Sequence, residues 1–127
     1  MPSAHDILRF KGHTVHSVRP SDTVIAALGL MADYDIGAVL VLDASALVGI
    51  LTERDYARKV VLAGLSSKDS PVSAIMTSTV VTVSPQHSVD ECMTLMTERR
   101  VRHLPVLDGG RVAGLISIGD LVKATLD

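Results

Sequence analysis

The strongest constraint on this chain is that it repeats itself at a fixed offset of 65 residues. Thr14, Val15, Val18, Pro20 and Val24 recur as Thr79, Val80, Val83, Pro85 and Val89, and Leu30-Met31 recurs as Leu95-Met96. Val41-Leu42-Asp43 returns as Val106-Leu107-Asp108, and Gly49 and Asp55 return as Gly114 and Asp120. An offset held over about forty-five residues without a gap marks a duplicated supersecondary unit. Each copy ends in one signature, Gly49-Ile50-Leu51-Thr52-Glu53-Arg54-Asp55 and then Gly114-Leu115-Ile116-Ser117-Ile118-Gly119-Asp120. A glycine and two apolar residues close a strand, and a hydroxyl with a carboxylate three positions later opens a helix. Such a junction is expected to offer backbone N–H groups and a positive dipole end to an anion.

Taken in order, Ser3 to Phe10 predict a short helix with Ile7, Leu8 and Phe10 available to dock. Thr14 to Val18 alternates as a brief strand that Pro20 stops. Ser21 or Asp22 is placed to cap a helix on which Val24, Leu28 and Met31 fall at helical spacing. The unbroken apolar run Ile36 to Leu42 predicts a strand buried on both faces. Asp43-Ala44-Ser45 turns the chain into a strand from Ala46 to Leu51, and Thr52 opens a helix to about Ala63, ended by Gly64. The polar stretch Leu65 to Ser70 is a linker, and Pro71 suits the start of a short helix through Met76. In the second copy Ser88 and Glu91 form a capping box, and Asp108-Gly109-Gly110 gives a clearer hairpin turn. The fold class is α/β (α+β), with two β-α-β-β-α repeats. Residues 1–68 hold the N-terminal helix and first repeat, residues 69–127 the linker helix and second, and together they make one module.

Composition removes several functions. Aromatic residues are 2% of the chain with no Trp, so there is no stacking platform for single-stranded nucleic acid. A net charge of −2 supplies no field toward nucleic acid or a membrane surface. Cys92 is the single cysteine, which rules out an internal disulfide. His5, His13, His16 and His87 do not group with one another or with Cys92, so no metal site is expected. With no signal-peptide pattern and no apolar run of membrane-spanning length, a cytoplasmic setting is expected. There is no P-loop, no GxGxxG and no recognisable nucleophile motif, and the repeat separates the two signature carboxylates. The chain therefore reads as a non-enzyme.

Thr52-x-x-Asp55 and Ser117-x-x-Asp120 admit two readings, as helix caps or as ligand groups. A carboxylate can accept from both hydroxyls of a vicinal diol, and the two roles can coexist. Arg99, Arg100, Arg102 and His103 form the densest basic cluster. The first two suit a solvated helix end, and the last two lie on alternate faces of a strand. Met31, Met93, Met96 and Cys92 read as core filler.

Two β-α-β-β-α units, each ending in glycine, two apolar residues, Thr or Ser, two variable residues and Asp, resemble a tandem pair of CBS domains, or Bateman module. Thr52-Glu53-Arg54-Asp55-Tyr56-Ala57-Arg58 and Arg102-His103-Leu104-Pro105-Val106 look like small stand-alone bacterial members. The resemblance implies two repeats packed about a pseudo-two-fold axis, with two clefts for adenosyl ligands such as AMP, ADP, ATP, NAD or S-adenosylmethionine. By that resemblance one cleft would use Ile50, Thr52, Asp55, Val80, Val81, Arg102 and His103. The other would use Val15, His16, Gly37, Ala38, Arg54, Leu115, Ser117 and Asp120. The Asp55 cleft is expected to hold phosphate better. The implied role is a regulatory adenine-nucleotide sensor, a homodimer acting on an unidentified protein. The alternative is a scaffold that dimerises without a ligand.

Overall fold

The computed structural model describes residues 2–126, and they divide into two units. The continuous unit is His16–Val80, and the split unit joins the described residues up to Val15 to those from Val81 onward.

In the continuous unit β1 (Ser17–Val18) lies parallel to β2 (Ala38–Asp43), which pairs antiparallel with β3 (Ala46–Thr52). The predicted burial of the second strand holds, with Ala38 to Val41 all at 1% exposure or less. Helix α2 (Val24–Tyr34) turns Val24, Ala27 and Met31 into the same core as Val39, Val41 and Leu51. Its cap is Thr23, whose hydroxyl accepts from the Ala26 N–H at 3.2 Å. Neither Ser21 nor Asp22 caps it, because the Asp22 carboxylate instead accepts the Arg19 N–H at 2.8 Å. The linker supplies what the cap lacks, as the Val24 and Ile25 N–H groups donate to the Ser70 and Ser67 carbonyls.

The helix predicted from Thr52 to Ala63 is shorter and wider. α3 (Glu53–Asp55) gives way to a π-helical segment, Tyr56–Val61. Val60 and Val61 are β-branched and weak α-formers. The wide turn buries Val60 while Lys59 is held at both ends of its reach, donating to the Ile75 carbonyl at 3.0 Å and pairing with Asp55 at 3.1 Å. Gly64 takes the left-handed conformation expected of a terminator, φ 71°. After Pro71 a single 3-10 turn, Val72–Ala74, replaces the expected linker helix.

The split unit holds α1 (Ala4–Lys11), α4 (Val89–Arg99), the hairpin β4 (His103–Asp108) and β5 (Arg111–Ser117), and α5 (Ile118–Thr125). Its first element comes from the far end of the sequence. Ser3 caps α1 in a reciprocal box with Asp6, and the Ala4 and His5 N–H groups donate to the His87 and Pro85 carbonyls. Ala4, Ile7 and Leu8 make one buried stripe in the core with Val106 and Ile116. Phe10, expected to dock, falls off that stripe and is 96% exposed.

The repeats differ where β1 should recur. The counterpart of β1 is a single parallel bridge, Val83 to Val106. In the continuous unit the Leu40 N–H extends the ladder by donating to the His16 carbonyl at 3.1 Å. Its counterpart Pro105 has no N–H to donate, so the ladder stops after one bridge.

Candidate functional site

The signature folds the same way in both units. The Thr52 hydroxyl accepts the Asp55 N–H at 3.1 Å, and Asp55 Oδ2 accepts the Thr52 N–H at 3.0 Å. In the split unit the Ser117 hydroxyl accepts the Asp120 N–H at 3.2 Å, and Asp120 Oδ2 accepts the Ser117 N–H at 2.8 Å. Both are capping boxes, each hydroxyl cap worth about 1 kcal/mol. The first helical N–H also has a partner, since Glu53 donates to the Gly37 carbonyl at 3.1 Å and Ile118 to that of Arg102 at 2.9 Å. Two of the first three amides at each junction are thus already bonded, so the expected open array of N–H donors is largely closed.

The opening glycine of each signature sets how close a neighbouring segment can pass. A Cβ on Gly49 would stand 2.5 Å from Met76 Sδ and 3.1 Å from the Thr77 carbonyl oxygen. One on Gly114 would stand 2.5 Å from Leu8 Cδ2. The segment crossing Gly49 pairs with β3 through an antiparallel bridge, Ile50 to Thr77.

These segments bring residues to the carboxylates that sequence reasoning missed. Asp55, 8% exposed, accepts from the Thr77 hydroxyl at 3.1 Å on Oδ1, the oxygen that Lys59 also approaches. Asp120 is met by Lys11, whose Nζ donates to Oδ2 at 2.7 Å and to the Leu115 carbonyl at 2.8 Å. Every bond described for Asp120 falls on Oδ2, whereas Asp55 uses both oxygens. Burial pushes the Asp120 carboxyl up, but Lys11 and the Ser117 N–H outweigh it and hold the group below its ordinary range.

Of the first predicted set, Ile50, Thr52, Asp55 and Val80 belong to the continuous unit, and Val81, Arg102 and His103 to the split unit. Of the second, His16, Gly37, Ala38 and Arg54 belong to the continuous unit, and Val15, Leu115, Ser117 and Asp120 to the split one. Inside the units several of them meet. Ala38 lies across the ladder from Thr52, and His103 holds the same register opposite Ser117. Burial pushes the His103 imidazole below the ordinary histidine range; Lys11 and Arg102 push the same way, and Asp120 opposes them only in part. His16 stacks on Tyr34, ring centres 3.9 Å apart. Arg102 is exposed, and Arg54 stands in the first turn of α3. Arg99 and Arg100 form the exposed end of α4. Met31, Met96 and Cys92 are buried as core, and burial raises the Cys92 thiol.

A family model described as the CBS domain matches residues 4–62 and again residues 72–127. The chain belongs to the CBS domain family. The two matches make it a tandem CBS pair. A protein with CBS domains from Burkholderia ambifaria MC40-6, assigned provisionally to signal transduction, is 54% identical with a TM-score of 0.95, covering 98% of this chain and 93% of that one. The mitochondrial CBS domain-containing protein CBSX3 of Arabidopsis thaliana is 38% identical over 95% of this chain, which spans 63% of that relative's length. The fold is shared with the CBS domain pair of protein MJ0100, solved in complex with 5′-methylthioadenosine and S-adenosyl-L-methionine, at a TM-score of 0.85 and 24% identity over 98% of this chain and 96% of that one. No helix among the described residues is long and apolar enough to cross a membrane.

Proposed function

We propose that this CBS pair is a regulatory adenine-nucleotide-binding module of the cytoplasm, without catalytic activity, that signals through its own dimer or a partner protein. The observation that carries this reading is the duplicated junction. In each unit a carboxylate is locked beside a capped helix start, with an ammonium group within 3.1 Å. Such a pair of groups suits a ribose diol and a phosphate. The adenosyl compounds held by MJ0100 point to the same ligand class, of which AMP, ATP and NAD are the members proposed for this chain. The ligand would draw on both units: Ile50, Thr52, Asp55 and Val80 with Val81, Arg102 and His103 for one cleft, and Val15, Leu115, Ser117 and Asp120 with His16, Gly37, Ala38 and Arg54 for the other.

One observation favours a second reading, a scaffold that dimerises without ligand. Both Asp55 oxygens already have partners inside the chain. Thermal unfolding with AMP, ADP, ATP, NAD and S-adenosylmethionine decides between them, using wild type, Asp55→Asn and Asp120→Asn. A ligand at a hundred times its Kd adds about 2.7 kcal/mol, a shift of several degrees. A shift lost in one variant supports the sensor and identifies the working aspartate. No shift with any ligand leaves the scaffold.

A further inference from the structure

Resting on the nucleotide reading, we infer that Lys11 makes the Asp120 site selective for nucleotides over nucleosides. The Lys11 ammonium is an internal occupant of that site, bonded to Asp120 Oδ2 at 2.7 Å and to the Leu115 carbonyl at 2.8 Å. A vicinal diol bound two-pronged needs both carboxylate oxygens, and Oδ2 already accepts the Ser117 N–H as well as Lys11. An incoming diol therefore has to displace the ammonium. The bond lost is charge-assisted and the one gained has a neutral donor, so the exchange is unfavourable unless the freed cation finds another anion.

A nucleoside brings no anion; a nucleotide brings its phosphate. Space for the phosphate lies beside Lys11, in a cavity of about 630 Å³ walled by Ile7, Phe10, Lys11, Asp120 and Lys123, a volume in the range of small-molecule sites. Asp6, on the same wall, is committed to the Ser3 N–H and hydroxyl. The Lys123 ammonium has no hydrogen bond or ion pair among the described residues and faces no competing claim. Lys11 thus acts twice, excluding ligands without an anion and binding the phosphate of those that have one, with Lys123 as the second cation.

Calorimetric titration of the full chain with AMP and with adenosine tests this in wild type, Lys11→Gln and Lys123→Gln. Wild type should prefer AMP by about tenfold or more. In Lys11→Gln the preference should shrink to about threefold or less, chiefly because adenosine binds more tightly. Lys123→Gln, an exposed change that leaves the fold alone, should weaken AMP and leave adenosine unaltered. AMP binding with a preference that neither variant moves would overturn the inference and leave the nucleotide reading standing. Failure of wild type to bind either compound overturns both.

Discussion

Asp55 and Asp120 occupy the same place in the repeat and make the same capping box, yet their charges are balanced from places that do not correspond. Lys59, one turn further along its own chain segment, reaches Asp55; Lys11, from α1, reaches Asp120. At the 65-residue offset, Lys11 corresponds to Met76, Lys59 to Ala124 and Thr77 to Gly12. The duplication thus kept a local hydrogen-bonded motif while its counter-cations arose separately. What persists is a requirement of the buried carboxylate: a charge removed from water needs a partner, and any cation within reach meets it.

The largest effects should come from the two glycines, which test whether the crossing segments are held equally tightly. Gly114→Ala drives a methyl into Leu8, itself 1% exposed with nowhere to retreat, and should cost about 2–3 kcal/mol in chemical denaturation. Gly49→Ala meets Met76, a flexible half-exposed side chain, and should cost about 1 kcal/mol. Equal costs would remove the distinction between the segments.

A pH titration sharpens the contrast next. The carboxyls held below their ordinary range, Asp6, Glu91 and Asp120, all belong to the split unit, as does the depressed His103. A depressed group adds stability above its unfolded pKa and loses it as pH falls through the folded value. Acidification should therefore weaken the chain in two steps, from His103 below about pH 6.5 and from the carboxyls below about pH 4. Lys11→Gln removes a cation that lowers both His103 and Asp120, so NMR titration should show both values rise. Lys59→Gln should leave them in place; movement with Lys59→Gln instead would reverse the assignment of cations to units.

The smallest effect concerns the hairpin turns. Ala44 and Ser45 adopt φ of 49° and 74°, where the second hairpin has Gly109 and Gly110 at 58° and 83°. Left-handed backbone costs an L-residue about 1–2 kcal/mol, and glycine's greater freedom when unfolded returns about 0.5–1. Ala44→Gly should accordingly stabilise by about 0.5 kcal/mol, and Gly109→Ala should destabilise by a similar amount. A fall in Tm for Ala44→Gly would show the first turn to be held by something other than backbone preference.

What could be read from sequence was whatever depends on neighbours in the chain. The hydroxyl–carboxylate caps, the hairpins, the buried second strand and the Gly64 terminator each follow from residues within a few positions of one another. The missed features depend on distance or on a missing atom. Lys11 lies 109 residues from its carboxylate partner, and the crossing of Leu8 over Gly114 depends on the same tertiary docking. The shortening of the β1 counterpart hinges on one absent N–H at Pro105, and the π segment on where Lys59 had to reach. Phe10 looked like core because apolar content alone does not say which stripe of a short helix docks.

Helix α1 also sets an order of events during synthesis. It is made first, but the strand and carboxylate that hold it, at Leu115 and Asp120, follow 104 and 109 residues later. At about 5–20 residues per second, Ile7 and Leu8 wait for seconds with their intended cover not yet made. His16–Val80, emerging in one stretch, can close in the meantime. Ala4, Ile7 and Leu8 therefore form a brief, sequence-encoded window for chaperone capture or misassociation, which closes only when the last helix is complete.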